Sequence, residues 1–236
     1  MLSRLLKRRK RRSTFEMSYE VAKRIIDVVG AVVILIIFSP ILLAIAVAIK
    51  LTSPGPVFVE PGNGHMKRVG KGGKIFRLYK FRSMMVKADV LEKTDPRYRT
   101  SYIEKRKSGT YKPTRDPRIT PVGKFVRKHS LDELPQLLNV LRGDMSIVGP
   151  RPYLREELDE QTAKFPGTDG FVRDTLTVKP GITGFWQTNG RSEVAFDKRA
   201  EMDAYYAKKK SLWFDVLIML KTPLVMLTGK GANKGN

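Results

Sequence analysis

Residues 28–49, VVGAVVILIIFSPILLAIAVAI, run for 22 positions without a charge. As a helix rising 1.5 Å per residue they span about 33 Å, roughly one bilayer hydrocarbon core. A membrane-embedded helix is therefore the first expectation. Two features predict that it dips into the bilayer and returns. Ser39 and Pro40 stand at its midpoint, and a proline there removes a backbone donor and bends the helix. Basic residues crowd both flanks, RLLKRRKRR and Lys23-Arg24 before it and Lys50 after it, which favours the cytoplasmic side for both ends. A single span with a proline kink is the plainer alternative. A cleaved signal peptide fits less well, because the apolar run exceeds the usual length of about 7–15 residues.

The rest of the chain is basic, with 45 Lys and Arg against 23 Asp and Glu and a net charge of +22. Such a balance calls for anionic partners: nucleic acid, acidic lipid or phosphorylated small molecules. The charge is regional, since residues 67–128 hold twenty basic and five acidic residues whereas residues 129–236 hold fifteen and fourteen. Lys/Arg clusters beside a membrane segment, RRKRR here, bind anionic lipid head groups. With no cysteine, disulfides, thiolate zinc sites and a catalytic thiol are excluded. His65 and His129 are the only histidines, so any metal would be a hard one held by oxygen.

The predicted organisation is α+β: a basic tail over 1–17, a re-entrant membrane helix over 18–52, and a small cytoplasmic catalytic domain over 53–236 made of helices and a short β-hairpin. Ser53-Pro54-Gly55-Pro56 ends the apolar helix in a turn before a short strand, VFVE. KRVGKGGKIFRLYKF reads as two strands about a glycine turn, with Phe76 and Leu78 on one face and Arg77, Tyr79 and Phe81 on the other. Residues 87–117 read as an irregular or partly helical connector. Thr120 and Pro121 open a helix over PVGKFVRKH. A second helix follows with Leu134, Leu137, Leu138 and Leu141 at i, i+3, i+4 and i+7, and Gly143 as its stop. Residues 193–209 read as an amphipathic helix. Residues 212–227, broken by Asp215, Lys221 and Pro223, suit an interfacial or core-packed helix better than a second span.

The second of these helices begins with adjacent carboxylates, in SLDELPQLL. Ser130 and Glu133 match the S-x-x-E capping box, and acids are favoured at a positive helix start. Pro135 complicates that reading, because it falls at the fifth helical position when Ser130 is the N-cap. Starting the helix at Asp132 places Pro135 in the free first turn and sets an ionised group beside Arg127 and Lys128, surroundings that keep it available as an anion. Such an aspartate can ligate a metal or attack phosphorus to form an acyl phosphate. Pro150-Arg151-Pro152 nearby in sequence fixes a guanidinium of the geometry that binds phosphate bidentately, or an ordinary solvated loop residue.

KRIIDVVGAVVILIIFSP, SPGPVFV, GHMKRVGKGGKIFRLYKFRSM, DPRITPVGKFVRKHSLDELPQLLNVLRGDMSIVGPRP and KPGITGFWQTNGRS occur in this order. Together they resemble the bacterial sugar transferase family, the monotopic polyprenyl-phosphate phosphoglycosyl transferases, from about residue 20 to the C-terminus. The resemblance is to the short form, and the last two helices are similar to the hexose-1-phosphate branch. It implies a membrane enzyme that moves a sugar 1-phosphate, galactose or glucose, from a UDP-sugar to undecaprenyl phosphate, releases UMP and initiates exopolysaccharide synthesis on the cytoplasmic face of the bacterial inner membrane. It further implies Asp132 as nucleophile with Glu133 beside it, Mg²⁺ as cofactor at these two residues, Arg127 and Arg151 as phosphate ligands, and Ser39-Pro40 as the break of the re-entrant helix. Lys80 and Arg82 of KFRSM, and Trp186, Gln187 and Arg191 of FWQTNGR, are expected substrate contacts, with a solvated strand face and a packed aromatic as the alternatives. Glu60 and Pro61 depart from the aromatic or basic residues many relatives carry there.

Transfer of an N-acetylated amino sugar phosphate is the nearest alternative, transfer of the sugar without its phosphate another. A membrane-anchored basic binding module is the alternative outside enzymes. No RNP-like strand, zinc spacing or helix-turn-helix signature calls for nucleic acid. Membrane lipid is an expected partner, and a homodimer is left open.

Overall fold

The structure, a computed structural model, describes residues 2–59, 66–96, 98, 116–190 and 194–228. Helix α1, Leu2–Thr52, runs through both the basic tail and the apolar segment without a change of backbone assignment at Ser39-Pro40. Chemistry at that point is local. Pro40 has no N–H to return to the carbonyl four residues back, that of Ile36, and the Ser39 hydroxyl donates to this same oxygen at 2.8 Å. The carbonyl that proline orphans thus finds a donor within its own turn.

Strands β1, Lys67–Val69, and β2, Ile75–Arg77, form the predicted antiparallel hairpin, closed by a 3₁₀ turn at Lys71–Gly73. The VFVE strand reduces to one bridge between Phe58 and Phe81, flanked by Val59 N–H to Lys80 O and Arg82 N–H to Val57 O. Glu60, Pro61 and His65 lie outside the described residues. Helices α2, Ala88–Thr94, and α3, Pro121–Lys128, follow, the latter capped by Thr120 Oγ1 on Gly123 N–H at 3.0 Å. The carboxylate helix splits into a 3₁₀ segment, Leu131–Gln136, and α4, Leu137–Arg142. Ser130 lies in the left-handed region at φ 55° and makes no side-chain cap, so the capping box is not formed. Gly143, at φ 87°, ends α4 in the left-handed conformation glycine adopts without penalty.

A second, parallel strand pair joins β3, Ser146–Val148, to β4, Gly181–Thr183. Sequence reading assigned no element between Gly143 and Gly184, and here lie α5, Arg155–Lys164, and α6, Asp169–Thr175. Gly149 and Gly181 face each other so closely that a Cβ on either would collide with the other's backbone. Short α7, Phe185–Thr188, then leads to α8, Phe196–Lys209, and α9, Leu212–Thr228.

Three apolar clusters organise these elements. The largest gathers Leu137, Val140, Met145, Val148, Tyr206 and Ile218 around Ala31 of α1. Another joins Val69, Tyr153, Leu158, Phe196 and Ala200. The last packs Ile45 and Ile49 of α1 against Phe81 and Val126. Both halves of α1 therefore contact the same body, whereas Ile36, Ile37, Pro40 and Leu43 between them stand exposed. On α9 the inner face buries Asp215 and Ile218, and Trp213, Leu217, Leu220 and Leu224 form an exposed apolar stripe at helical spacing.

The N-terminal half of α1 is fastened by charge. Lys23 Nζ lies 3.2 Å from Asp27 Oδ1 and 3.1 Å from Asp215 Oδ2, with all three groups buried. Asp27 also accepts from Ser146 Oγ and Ile147 N–H, each at 3.0 Å, and Asp215 accepts from Tyr206 at 2.7 Å and Tyr19 at 3.3 Å. Arg24 crosses to α4 and donates to the carbonyl of Leu141 at 2.8 Å, satisfying a helix end.

Candidate active site

Asp132 is 1% exposed, the more unusual because nothing apolar about a carboxylate favours burial. Its counter-charge is Lys80, whose ammonium lies 2.8 Å from Asp132 Oδ2 and 3.4 Å from Glu133 Oε1. Backbone chemistry brings them together. Pro135 has no N–H to offer the carbonyl three residues back in the 3₁₀ segment, that of Asp132, and Phe81 N–H donates to this carbonyl instead at 3.0 Å. Proline in the DELP stretch thus creates the acceptor that docks the KFR strand against the aspartate.

Asn139 fixes the same strand from its other side. Fully buried on α4, its side chain accepts from Tyr79 N–H at 2.9 Å and donates to Arg77 O at 2.6 Å. Lys80 is bracketed between these bonds and the Phe81 bond. Asn139→Ala leaves two part-buried backbone groups without their side-chain partner, and is expected to lower unfolding free energy by about 1–3 kcal/mol in chemical denaturation.

The other predicted residues scatter more widely. Arg127 sits half-buried in the last turn of α3, five positions before Asp132. The Arg82 guanidinium is turned to the end of α1, where it donates to Pro54 O, to Ser53 O at 2.9 Å and to Ser53 Oγ at 2.9 Å. It closes the SPGP turn. Gln187 donates to the Ile182 carbonyl of β4 at 3.1 Å, and Arg191 lies outside the described residues. Ser39 and Pro40 are in α1, remote in sequence from this cluster.

Arg151 and Trp186, both expected substrate contacts, gather Arg68, Arg199 and Glu157, which sequence reading did not mark. Its guanidinium carbon is 5.9 Å from the ring centre of Trp186, and that of Arg199 is 5.0 Å from the same ring. Arg68 donates to Pro152 O at 3.4 Å, and Arg199 lies 3.8 Å from Glu157. Burial above all pushes Arg151 down to about 10, against Glu157 and helped by repulsion from Arg68 and Arg199. A signal for Arg199 existed in the sequence: Phe196, Arg199, Ala200, Asp203, Ala204 and Ala207 keep helical spacing, so two charges occupy the buried stripe of α8.

One of those charges is Asp203, fully buried, which accepts from Tyr153 at 2.9 Å and from the Arg151 backbone. Desolvation pushes its carboxyl up to about 7, against Tyr153, Arg199 and Arg151. A raised carboxyl pKa means the folded state holds a proton that the unfolded chain has already released. Its stabilising contribution is complete below about pH 4 and is lost as pH rises through 7. The melting temperature should therefore decline between pH 5 and 8, a loss of about 2–4 kcal/mol from this group, and Asp203→Asn should flatten that slope.

Asp132 and Glu133 offer adjacent carboxylate oxygens, of which Asp132 Oδ2 is buried against the Lys80 ammonium at 2.8 Å. Hard oxygen donors of this number suit Mg²⁺, which keeps waters and takes substrate phosphates as its remaining ligands. Among the described residues no cluster of three or more acidic or histidine side chains forms a complete cage.

Comparison with known proteins bears on these residues as a set. The chain is 44% identical over 214 residues to an undecaprenyl-phosphate galactose phosphotransferase of Salmonella typhimurium, covering 89% of this chain and 41% of that protein. It is 43% identical over 211 residues to the exopolysaccharide production protein ExoY of Rhizobium meliloti, covering 88% of this chain and 86% of that protein. To the UDP-glucose:undecaprenyl-phosphate glucose-1-phosphate transferase of Escherichia coli it is 40% identical over 215 residues, again with 41% of that protein covered. The chain thus spans about two fifths of the longer curated relatives. The profile of the bacterial sugar transferase family matches residues 18–229, a range that includes Lys80, the Asp132–Glu133 pair, Arg151 and the apolar part of α1, and the chain belongs to that family.

Proposed function

We propose that this chain transfers a hexose 1-phosphate, galactose or glucose, from a UDP-sugar to undecaprenyl phosphate, with release of UMP, and so initiates an exopolysaccharide. The observation that carries the reading is the buried Asp132 carboxylate held against the Lys80 ammonium at 2.8 Å. In the proposed first step a carboxylate oxygen of Asp132 attacks the phosphorus that bears the sugar. An acyl-phosphate bond forms, the phosphoanhydride bond breaks, and its electron pair leaves with UMP. In the second step an oxygen of the lipid phosphate attacks the same phosphorus and returns the carboxylate.

Lys80 keeps the nucleophile oriented and offsets charge as the diphosphate approaches, and Arg151 and Arg127 bind phosphoryl oxygens. Asp132 and Glu133 would hold Mg²⁺, which would supply further neutralisation of the diphosphate. One phosphoanhydride replaces another, so little driving force is required. The site's place at the cytoplasmic bilayer surface is supported by α1, both of whose halves meet the same body while its middle is exposed, and by the apolar stripe of α9. A helix that enters and leaves by one face satisfies both.

The names of the relatives favour galactose and glucose, and a relative from Aeromonas hydrophila, 42% identical, is named for N-acetylgalactosamine phosphate. The test is product analysis with a panel of UDP-sugars, Mg²⁺ and undecaprenyl phosphate. UMP with UDP-galactose or UDP-glucose is the expected result. Release of UDP instead would mean that the sugar moves without its phosphate, and UMP only with UDP-N-acetylgalactosamine would assign the amino-sugar branch.

A further inference from the structure

We propose that Arg68 and Arg199, with the indole N–H of Trp186, form a phosphoryl-binding pocket that extends the contact of Arg151 beside the Asp132–Glu133 pair. The proposal rests on the reading above and adds to Trp186, an expected substrate contact, two arginines that neither the sequence motifs nor the relatives assign. Arg68 and Arg199 are each 7% exposed, and the Nε of each is buried with no hydrogen-bond partner among the described residues. The Nε1 of Trp186 is in the same condition. Three buried donors without acceptors at one place are a costly arrangement, since each forfeits about 1–3 kcal/mol of solvation.

The charges point the same way. Arg68, Arg151 and Arg199 share Glu157 as their near carboxylate, with Asp203 behind Tyr153. Burial lowers the Arg68 guanidinium against the pull of Glu157 and Glu133, so Arg68 is within electrostatic reach of the acidic pair's Glu133. Packing like charges together costs stability unless a group of opposite sign completes the site. Donors arranged as guanidinium forks around an indole N–H suit the several oxygens of a phosphoryl dianion. Its source is either the donor nucleotide or the lipid phosphate.

The test uses the full chain in detergent, in a Trp213→Phe background. Trp213 is exposed on α9 and Trp186 is then the only indole. Pyrophosphate, UMP and a short-chain polyprenyl phosphate are titrated at constant ionic strength, with chloride as control, following Trp186 emission and melting temperature. Each phosphoryl ligand that enters the pocket should shift the emission and raise the melting temperature. Arg68→Met and Arg199→Met should weaken that response by about ten- to a hundredfold without lowering the ligand-free melting temperature, because a like charge has been removed. Response to UMP alone assigns the pocket to the donor, and response to the polyprenyl phosphate alone assigns it to the acceptor.

If both Met variants respond as the parent does, or if they melt lower and still respond, the arginines are tethers of the Pro-Arg-Pro loop and the proposal is overturned. Should the Met variants not fold, Arg199→Lys decides, since it keeps the charge and loses the fork. A parental response from it sinks the pocket. Binding of these ligands with no covalent adduct on Asp132 after a separate incubation with UDP-galactose or UDP-glucose and Mg²⁺ would sink the transferase reading and leave the pocket standing, and an adduct in that incubation with unaltered binding in the variants would do the reverse.

Discussion

Asp132→Asn is expected to lower turnover by more than about 10³-fold and to abolish a covalent sugar-phosphate adduct in intact-protein mass spectrometry. The amide has the volume of the carboxylate but no charge to attack phosphorus, and it pairs poorly with the Lys80 ammonium 2.8 Å away. Because Asp132 is buried, the variant's fold must be checked by melting temperature. Removing one buried partner leaves Lys80 facing Glu133 alone, at 3.4 Å, and a moderate stability change accompanies the catalytic loss. Glu133→Gln should be milder on both counts, since Glu133 is more exposed. Equal adduct formation by Asp132→Asn and the parent chain would remove the proposed mechanism.

The second large effect concerns the seam between α1 and the rest of the protein. Lys23→Met leaves the buried carboxylates of Asp27 and Asp215 without their shared cation, and a loss of about 3–5 kcal/mol is expected. Burial already raises Asp215, and Lys23 is its largest opposing influence. Without Lys23 the carboxyl rises further, so the folded state retains a proton up to higher pH than the unfolded chain. The loss should accordingly be smaller at pH 5 than at pH 8. Adding Asp215→Asn to Lys23→Met should recover part of the stability at pH 8. A pH-independent loss, or no recovery in the double variant, would show that the ammonium's packing rather than its charge is what matters.

Much of this molecule was legible in its sequence where the signal was local. The uncharged run, the glycine-turn hairpin, the Thr120 cap and the Gly143 stop each follow from rules that act within a few residues. The doubt that Pro135 cast on an α-helical start at Ser130 was also sound, although its resolution as a 3₁₀ segment needed the Phe81 contact that only tertiary structure supplies. Strands β3 and β4 are too short to show a period of two, and their pairing depends on glycines that let two distant loops touch. Of the site, the Asp132–Lys80 pairing joins two motifs that had been read separately. Arg82 shows the opposite limit: Lys80 and Arg82 of one motif, KFRSM, go to different tasks, the acidic pair and the turn after α1, although residues two apart on an extended chain share a face, so the motif's own spacing does not tell them apart. Arg68 was one cation among many in a basic region, with nothing nearby to mark its burial.

The clasp that unites Tyr19, Lys23 and Asp215 has a temporal consequence for biosynthesis. Its two sides are separated by 196 positions from Tyr19 to Asp215. At about 5–20 residues per second, a ribosome delivers the aspartate roughly 10–40 s after the lysine. During that interval the nascent anchor has already emerged, carrying a cation and a phenol whose final partner does not yet exist. The apolar stretch of α1 is therefore made long before α9, whose Asp215 then locks it in place.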